Sequence, residues 1–214
     1  MATAYIAHSC WKVLSTDAAG ATSQIVLEGV RNSHESIQLV VNPDSNLTDV
    51  DVTVSSMAGP DGAVLAASAW TLYRVNYVDC ESQGWIPDSM VPFINPNNQQ
   101  RIGSQYGAPF AATSGQNYPI WMELYIPTGA KSGVYTGAAS VTEGGVEQQS
   151  VPIQVTVHSA TMPSTSTLTT YFNLKAITEQ EQYFNALHDH RIDVWNIQGV
   201  TAHSYNEGTG QMDW

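Results

Sequence analysis

Apolar and polar residues alternate along most of the first 158 positions of this chain, and no other feature of the sequence limits its fold as strongly. A period of two predicts strands that bury one face. The clearest alternating runs are 50–54, 120–126 and 151–157, and weaker ones lie at 24–30, 36–41, 63–67, 70–78 and 134–142. About eight strands at this spacing, with turn signals between them and no helical stretch, predict an antiparallel β-sandwich.

The pattern of the sequence changes over its last quarter. Residues 167–174 predict a strand, 178–191 an amphipathic helix, and 192–197 a second strand. A β–α–β crossover belongs to a parallel sheet, which is normally covered on both faces. Too few residues follow to build such a sheet, so we expect this unit to be the incomplete start of a second, α/β domain.

The segment 158–166 is the best candidate for a domain boundary, because small polar residues and a proline separate the two periodicities there. The length of 214 residues is enough for one complete domain and the beginning of another. The sequence therefore predicts a β-sandwich domain over 1–160 and a truncated α/β part over 161–214.

Residues 79–118 lack clear alternation and are rich in Asn, Gln, Gly and Pro. A loop of this length is uncommon inside a compact domain and is often functional. The alternative, which we favour, is an ordered surface excursion that packs Trp85 and Phe93 on the sandwich.

The chain is strongly acidic, with 19 acidic and 7 basic residues and a net charge of −12. Phosphate backbones and anionic lipids repel such a chain, so nucleic-acid binding is not expected. No apolar run of about 18 residues occurs, so membrane insertion is not expected either. Only 12% of the residues are charged, a composition common in extracellular and carbohydrate-active β proteins. We therefore expect an extracellular or periplasmic location, although no signal peptide is visible.

The chain has two cysteines, Cys10 and Cys80, and no C-x-x-C motif. One interpretation is a long-range disulfide formed in an oxidising compartment. The other is two separate reduced thiols, and the sequence does not choose between them.

Several short motifs occur in a characteristic order. They are 9–13 (SCWKV), 31–40 (RNSHESIQLV), 73–75 (YRV), 84–92 (GWIPDSMVP), 119–127 (PIWMELYIP) and 133–137 (GVYTG). In this order and spacing they resemble the N-terminal β-sandwich of glycoside hydrolase family 123 and its uncharacterised relatives. Residues 183–192 are similar to the first barrel helix and second barrel strand of that family. One departure is Ser33, where relatives usually have a glutamate that could form a salt bridge.

The resemblance implies that the sandwich precedes a (β/α)8 barrel, whose first β–α–β unit lies at 161–214. It implies a retaining exo-glycosidase of the N-acetyl-hexosaminidase kind, in which the acetamido group of the substrate is the nucleophile. The implied partners are a glycan or amino-sugar glycoside and the remainder of the barrel domain.

In that family the acidic pair, an Asp next to a Glu, lies on a later barrel strand. No Asp-Glu or Glu-Asp dipeptide occurs in this chain. The resemblance therefore implies that none of these residues is catalytic and that the chain alone is inactive.

Barrel active sites form at the C-terminal ends of the strands. This rule points to Phe172 and Asn173 after the first strand, and to Trp195 and Asn196 after the second, as substrate-binding residues. A tryptophan offers a flat apolar face for a sugar ring, and asparagine amides can hydrogen-bond to hydroxyl groups. The alternative is that Phe172 and Trp195 belong to the barrel core.

No metal or other cofactor is expected. Six histidines are present, but no H-E-x-x-H or comparable ligand spacing occurs. His188 and His190 lie two positions apart on the predicted helix and therefore on different faces.

Two other functions remain open. The chain could act alone as a carbohydrate-binding or adhesive sandwich module, or it could be a structural module of a surface protein. A reading frame that continues for about 200 residues of strand–helix alternation would favour the hydrolase. A stop codon directly after the last residue would favour the alternatives.

Overall fold

A computed structural model describes residues 2–168, 170, 172–175, 180–192, 194–198, 204–206 and 211–213. The chain divides into two compact units, Met1–Ala160 and Thr161–Trp214. Strands dominate the first unit, and the second contains an α-helix of 10 residues. No helix within the described residues has the length and apolar character that a membrane crossing requires.

The first unit consists of strands and two short 3₁₀ turns, Pro60–Gly62 and Ala67–Ala69. Its strands are β1 (Ala2–His8), β2 (Ile25–Arg31), β3 (Ser33–Pro43), β4 (Leu47–Val54), β5 (Met57–Ala58), β6 (Val64–Leu65), β7 (Trp70–Cys80), β8 (Gly84–Pro92), β9 (Phe110–Ala112), β10 (Tyr118–Ile126), β11 (Gly133–Glu143) and β12 (Val146–Thr161). Most coincide with the alternating runs, but β1, β5, β8 and β9 lie outside them.

These strands form two sheets. The five-stranded sheet has the order β1-β3-β10-β7-β8, with antiparallel neighbours throughout. The seven-stranded sheet has the order β2-β12-β11-β4-β9, and β5 and β6 are attached at β11. In that sheet β11 is antiparallel to both β12 and β4.

Both sheets bury one face in a single hydrophobic core. The buried positions are Ile120, Met122, Leu124 and Ile126 in β10, and Val151, Ile153, Val155 and Val157 in β12. These are the apolar members of the alternating runs, so a period of two in the sequence becomes one buried face per sheet. The mainly β architecture is confirmed, with two sheets sharing one core as in a β-sandwich.

A two-residue turn joins β11 to β12. Glu143 pairs with Val146, which leaves Gly144 and Gly145 as the turn. Their φ angles are +55° and +80°, the left-handed values that a type I′ hairpin turn requires at both positions. Glycine adopts these values without a steric penalty, so the Gly-Gly signal in the sequence predicts this hairpin correctly.

The junction between β2 and β3 takes the chain from one sheet to the other. Asn32 at this junction has a φ of +60°, and its Oδ1 accepts a hydrogen bond of 3.0 Å from the Tyr125 hydroxyl. The Ser33 hydroxyl lies within hydrogen-bond distance of two acceptors, the Val30 carbonyl at 2.8 Å and a Glu35 carboxylate oxygen at 2.7 Å. The hydroxyl of Ser33 therefore closes this turn by hydrogen bonding.

The prediction of one long loop over 79–118 is wrong. β8 pairs with β7 as a hairpin, and β9 adds a strand to the seven-stranded sheet. A register shift in the β7–β8 pairing, together with Pro87 in β8, hides the alternation in this part of the sequence. Phe93 packs in the core, as the favoured interpretation expected, but Trp85 on β8 has 60% of its surface exposed.

The second unit contains a parallel pair of strands, β13 (Phe172–Lys175) and β14 (Val194–Gln198), with α1 (Gln180–Asp189) between them in the chain. This is the predicted strand–helix–strand order, although β13 begins later than predicted. β15 (Ser204–Asn206) and β16 (Gln211–Asp213) form an antiparallel pair that the sequence analysis did not predict.

Cys10 and Cys80 are both free thiols, the first exposed and the second half-buried. Of the two interpretations that the sequence left open, the structure therefore has the reduced one.

The first unit is expected to fold without the second. All strands of both sheets and their shared core lie within 1–162, so a chain that ends there should unfold in one cooperative transition. Urea denaturation followed by both circular dichroism and tryptophan fluorescence measures this, with 1–214 as the control. Transitions that differ between the two probes, or the absence of a transition, would contradict this expectation.

Candidate functional site

The four predicted substrate-binding residues lie in β13 and β14. Phe172 and Asn173 are the first two residues of β13, and Trp195 and Asn196 are the second and third of β14. In the parallel register, Phe172 pairs with Val194 and Asn173 pairs with Asn196, and the shift between these pairs passes over Trp195. The two asparagines are therefore neighbours across the strand pair.

Their positions along the strands differ from the expected ones. The four residues were expected after the C-terminal ends of the strands, but the strands continue to Lys175 and Gln198. The residues that follow, 176–179 and 199–203, lie outside the described part of the chain. The expectation failed because the sequence does not mark where a short strand begins and ends. A role for these four residues in substrate binding stays a prediction.

A second candidate site lies in the first unit, beside residues 9–20. We call this segment of the chain the clasp. Val13 of the clasp packs on Tyr5 and Val40 in a small hydrophobic cluster that is separate from the shared core. Tyr5 and Val40 are register partners on β1 and β3. Their strand neighbours enter the shared core, so these two side chains point to the outer face of the five-stranded sheet. The clasp therefore covers part of that outer face.

Gln38 of β3 is the first anchor of the clasp. This side chain is almost fully buried, with 3% exposed. Its amide nitrogen donates to the His8 carbonyl at 2.9 Å and to the Trp11 carbonyl at 2.7 Å. Both N–H groups of the amide can thus be satisfied by the backbone of the clasp and of the residue before it.

Asn117 is the second anchor, and its side chain is completely buried. Its amide nitrogen donates to the Leu14 carbonyl at 3.0 Å and to the Asp17 carbonyl at 2.9 Å. Its amide oxygen accepts a hydrogen bond of 2.9 Å from Asn42. The Tyr77 hydroxyl lies 3.1 Å from the Asn117 carbonyl, and burial raises the pKa of that hydroxyl. A connected polar network therefore holds the clasp on the sheet.

A cavity of about 450 Å³ lies between β1 and the clasp. Its lining consists of residues 5–8 from β1 and of Trp11, Val13, Asp17, Ala18 and Gly20 from the clasp. Trp11 has 68% of its surface exposed, although the backbone around it is held by Gln38. The cavity thus combines an exposed indole with a backbone that the sheet holds in place.

Three side chains of the cavity lining are polar, those of Tyr5, His8 and Asp17, and His8 Nδ1 accepts the Cys10 N–H at 3.1 Å. Burial, with a smaller contribution from Asp17, raises the pKa of the Tyr5 hydroxyl, so this hydroxyl stays protonated at neutral pH and can donate a hydrogen bond. Asp17 Oδ2 accepts the Leu14 N–H at 2.8 Å, and a carboxylate has lone pairs for further hydrogen bonds. The lining therefore offers aromatic surface, a donor and an acceptor, as a site for a small amphipathic ring would.

The sequence analysis missed this site. Trp11 was noticed only as part of the motif at 9–13, and neither Gln38 nor Asn117 was singled out. The available signal was a tryptophan in a segment with no strand alternation, which has no core position to fill. The hydrogen bonds that hold the clasp join residues as many as 103 positions apart, and no local pattern reveals them.

A further cavity of about 450 Å³ is lined by side chains from β4, β7 and the segment that follows β8. Its lining includes Trp70, Phe93 and Arg101. One Arg101 nitrogen lies 2.7 Å and 2.8 Å from the two carboxylate oxygens of Asp51. This ion pair balances the one cationic side chain in the lining, so the cavity does not attract anions.

The fold and the clasp define a two-sheet β domain with a preformed surface cavity. Residues 15–143, more than half of the chain, match the family model of the glycoside hydrolase 123 N-terminal domain. The chain therefore belongs to the glycoside hydrolase 123 N-terminal domain family. A comparison with curated proteins finds no match.

Among solved structures, the chain is similar to a family 123 glycoside hydrolase from Clostridium perfringens that was studied for glycolipid glycan hydrolysis. The match has a TM-score of 0.60 at 15% identity and covers 87% of this chain and 32% of that enzyme. The chain thus spans about a third of the length of that enzyme, and at this identity the likeness shows the fold.

Two other solved structures match at TM-scores too low to support an argument. The N-terminal domain of PorA has a TM-score of 0.33 at 9% identity, over 72% of this chain and 97% of that one. A Niemann-Pick type C2 protein from the Japanese carpenter ant has a TM-score of 0.32 at 9% identity, over 70% of this chain and 96% of that one.

Proposed function

We propose that this chain is the N-terminal portion of a retaining glycoside hydrolase of the N-acetyl-hexosaminidase kind. In such an enzyme the acetamido group of the substrate is the nucleophile. The protein then supplies one carboxyl group to orient the acetamido group and another to protonate the leaving oxygen. The substrate is a glycan or an amino-sugar glycoside, and the enzyme works in the extracellular space or in the periplasm.

The observation that carries this proposal is the parallel β13–β14 pair with α1 between its strands, which follows a glycoside hydrolase 123 N-terminal domain in the chain. Parallel strands joined by a helix are the repeating unit of a (β/α)8 barrel. We infer that 161–214 begins such a barrel and that the 1–160 domain precedes it.

We propose a substrate-binding role for the four residues of β13 and β14, which lie within these strands and before their C-terminal ends. Asn173 and Asn196, which are neighbours across the strand pair, donate and accept hydrogen bonds with substrate hydroxyls. Phe172 and Trp195 supply apolar surface to the sugar ring. No adjacent acidic pair occurs in these 214 residues, so both catalytic carboxyl groups are assigned to later barrel strands.

The test compares 1–214 with the same chain extended through a complete barrel. We expect the extended protein to hydrolyse an aryl N-acetylgalactosaminide with retention of anomeric configuration, as followed by proton NMR. Without the catalytic carboxyl groups, 1–214 should show no turnover. In the extended protein, converting either residue of the adjacent Asp–Glu pair to its amide should lower kcat at least about 100-fold.

Asp79→Asn on the exposed part of β7 is the matched control and should leave kcat unchanged. Turnover by 1–214 that disappears when one of its own acids is replaced would contradict the assignment of catalysis to later strands. Hydrolysis with inversion would contradict the substrate-assisted mechanism. An extended protein that cleaves no amino-sugar glycoside would contradict the hydrolase itself.

A carbohydrate-binding or adhesive module is the second candidate function, and the cavity beside the clasp favours it. A binding role needs no catalytic acid, only a site that is formed before the ligand arrives. This role is compatible with the hydrolase, because a sandwich domain can hold a glycan while another domain of the same protein cleaves it.

A further inference from the structure

We propose that the cavity between β1 and the clasp binds one ring of a neutral saccharide. The choice of a saccharide rests on the proposed function. The site itself rests on the side chains of the first unit, all of them within the described residues.

The size and the aromatic lining of the cavity are the first argument. Its volume of about 450 Å³ lies in the range of small-molecule sites and admits a single sugar ring. Trp11 and Tyr5 both line it, and Trp11 supplies the exposed aromatic surface because Tyr5 is only 7% exposed. A sugar ring has an apolar C–H face and a polar hydroxyl edge, so an aromatic surface with nearby polar groups matches both.

The rigidity of the clasp is the second argument. Hydrogen bonds from Gln38 and Asn117 hold the backbone on both sides of Val13, and Val13 itself is buried against the sheet. Trp11 is therefore presented on an ordered backbone while most of its side chain remains exposed. An exposed indole contributes little to folding, whereas an ordered one binds a ligand without a large entropic cost.

The polar groups indicate a neutral ligand. Asp17 can accept hydrogen bonds from sugar hydroxyls, and the Tyr5 hydroxyl can donate one. The Asp17 carboxylate and the net charge of −12 both repel anionic sugars. An organic cation could use the same aromatic rings and the same carboxylate, so the experiment must separate a sugar from a cation.

The experiment is an NMR titration of ¹⁵N-labelled 1–214. The probes are the methyl glycosides of N-acetylgalactosamine, galactose and glucose, with tetramethylammonium as the cationic probe. We expect at least one glycoside to cause saturable shifts of the Trp11 indole N–H and of the Gly20 amide. Trp11→Ala should weaken this binding at least about fivefold, because it removes the stacking surface.

Trp85→Ala is the matched control, since Trp85 is similarly exposed but lies on β8 and does not line this cavity. It should change the affinity less than about twofold. Both variants should keep the unfolding midpoint of the parent, because both side chains are largely exposed. In Asp17→Asn the side-chain oxygen can still accept a hydrogen bond from the Leu14 N–H. The affinity for the glycoside should therefore change by only about threefold.

Three outcomes would overturn the proposal. In the first, only tetramethylammonium binds, and its binding is lost in Asp17→Asn. In the second, the shifts caused by a glycoside are lost in Trp85→Ala but not in Trp11→Ala. In the third, no glycoside causes a saturable shift. Failure of the extended protein to hydrolyse a glycoside would leave this result intact, because the titration requires no catalytic acid. The two proposals can therefore fail separately.

Discussion

Replacing Phe110 with alanine is expected to lower the free energy of unfolding by about 4 kcal/mol. Phe110 lies on β9 of the seven-stranded sheet and is fully buried. Its ring meets two residues of the five-stranded sheet. The Arg74 guanidinium lies 4.4 Å from the ring centroid, and the Tyr118 ring lies 5.7 Å from it. Alanine would remove a contact between the sheets and leave a cavity beside a charged group.

Urea denaturation of 1–214 measures this loss. Phe110→Leu keeps most of the apolar volume but loses the aromatic face under Arg74, so about 1–2 kcal/mol is expected. Val26→Ala on β2 is the control, because Val26 is 53% exposed, and it should cost less than about 0.5 kcal/mol. A Phe110→Ala protein as stable as Val26→Ala would show that the ring does not hold the sheets together.

Replacing Asn117 with alanine is expected to cost about 3 kcal/mol. The substitution leaves the carbonyls of Leu14 and Asp17 and the amide of Asn42 without their buried partner. A buried polar group that lacks its hydrogen-bond partner destabilises the protein by more than the hydrogen bond stabilises it when formed. The clasp should therefore loosen in the folded protein in addition to the loss of global stability.

Two measurements check this expectation. Urea denaturation gives the global loss, and amide hydrogen exchange reports the clasp, where the amide of Leu14 should exchange faster than in the parent. Gln116→Ala is the control, because this neighbouring residue is exposed and its side-chain oxygen accepts a hydrogen bond from the Tyr118 hydroxyl and none from the clasp among the described residues. If Asn117→Ala and Gln116→Ala are equally stable and equally protected at Leu14, the anchoring role of Asn117 is wrong.

The strands of the shared core were predictable because their pattern is local. In β10 and β12 the apolar residues repeat at every second position, and each sheet has one buried face to receive them. β8 was missed for an equally physical reason. A bulge and a proline interrupt its pairing with β7, so the alternation that marks a strand is broken in the sequence.

The sequence predicted residues of one candidate site and missed the other site. Phe172, Asn173, Trp195 and Asn196 were predicted from strand–helix–strand order and a rule about barrels, and their strands lie side by side as that order requires. The pairing of Asn173 with Asn196 depends on a register shift that no pattern in the sequence predicts. The cavity beside the clasp was not predicted at all.

By itself, the sequence determined the elements that depend on neighbours along the chain, namely the alternating strands, the turn at Gly144 and Gly145, and the helix between β13 and β14. Only the tertiary structure decided that residues 9–20 form a clasp and that a cavity lies between this clasp and β1. The physical reason is distance along the chain. Asn117 reaches the clasp across 103 positions and Gln38 across 27, and hydrogen bonds between such residues exist only after the sheets have formed.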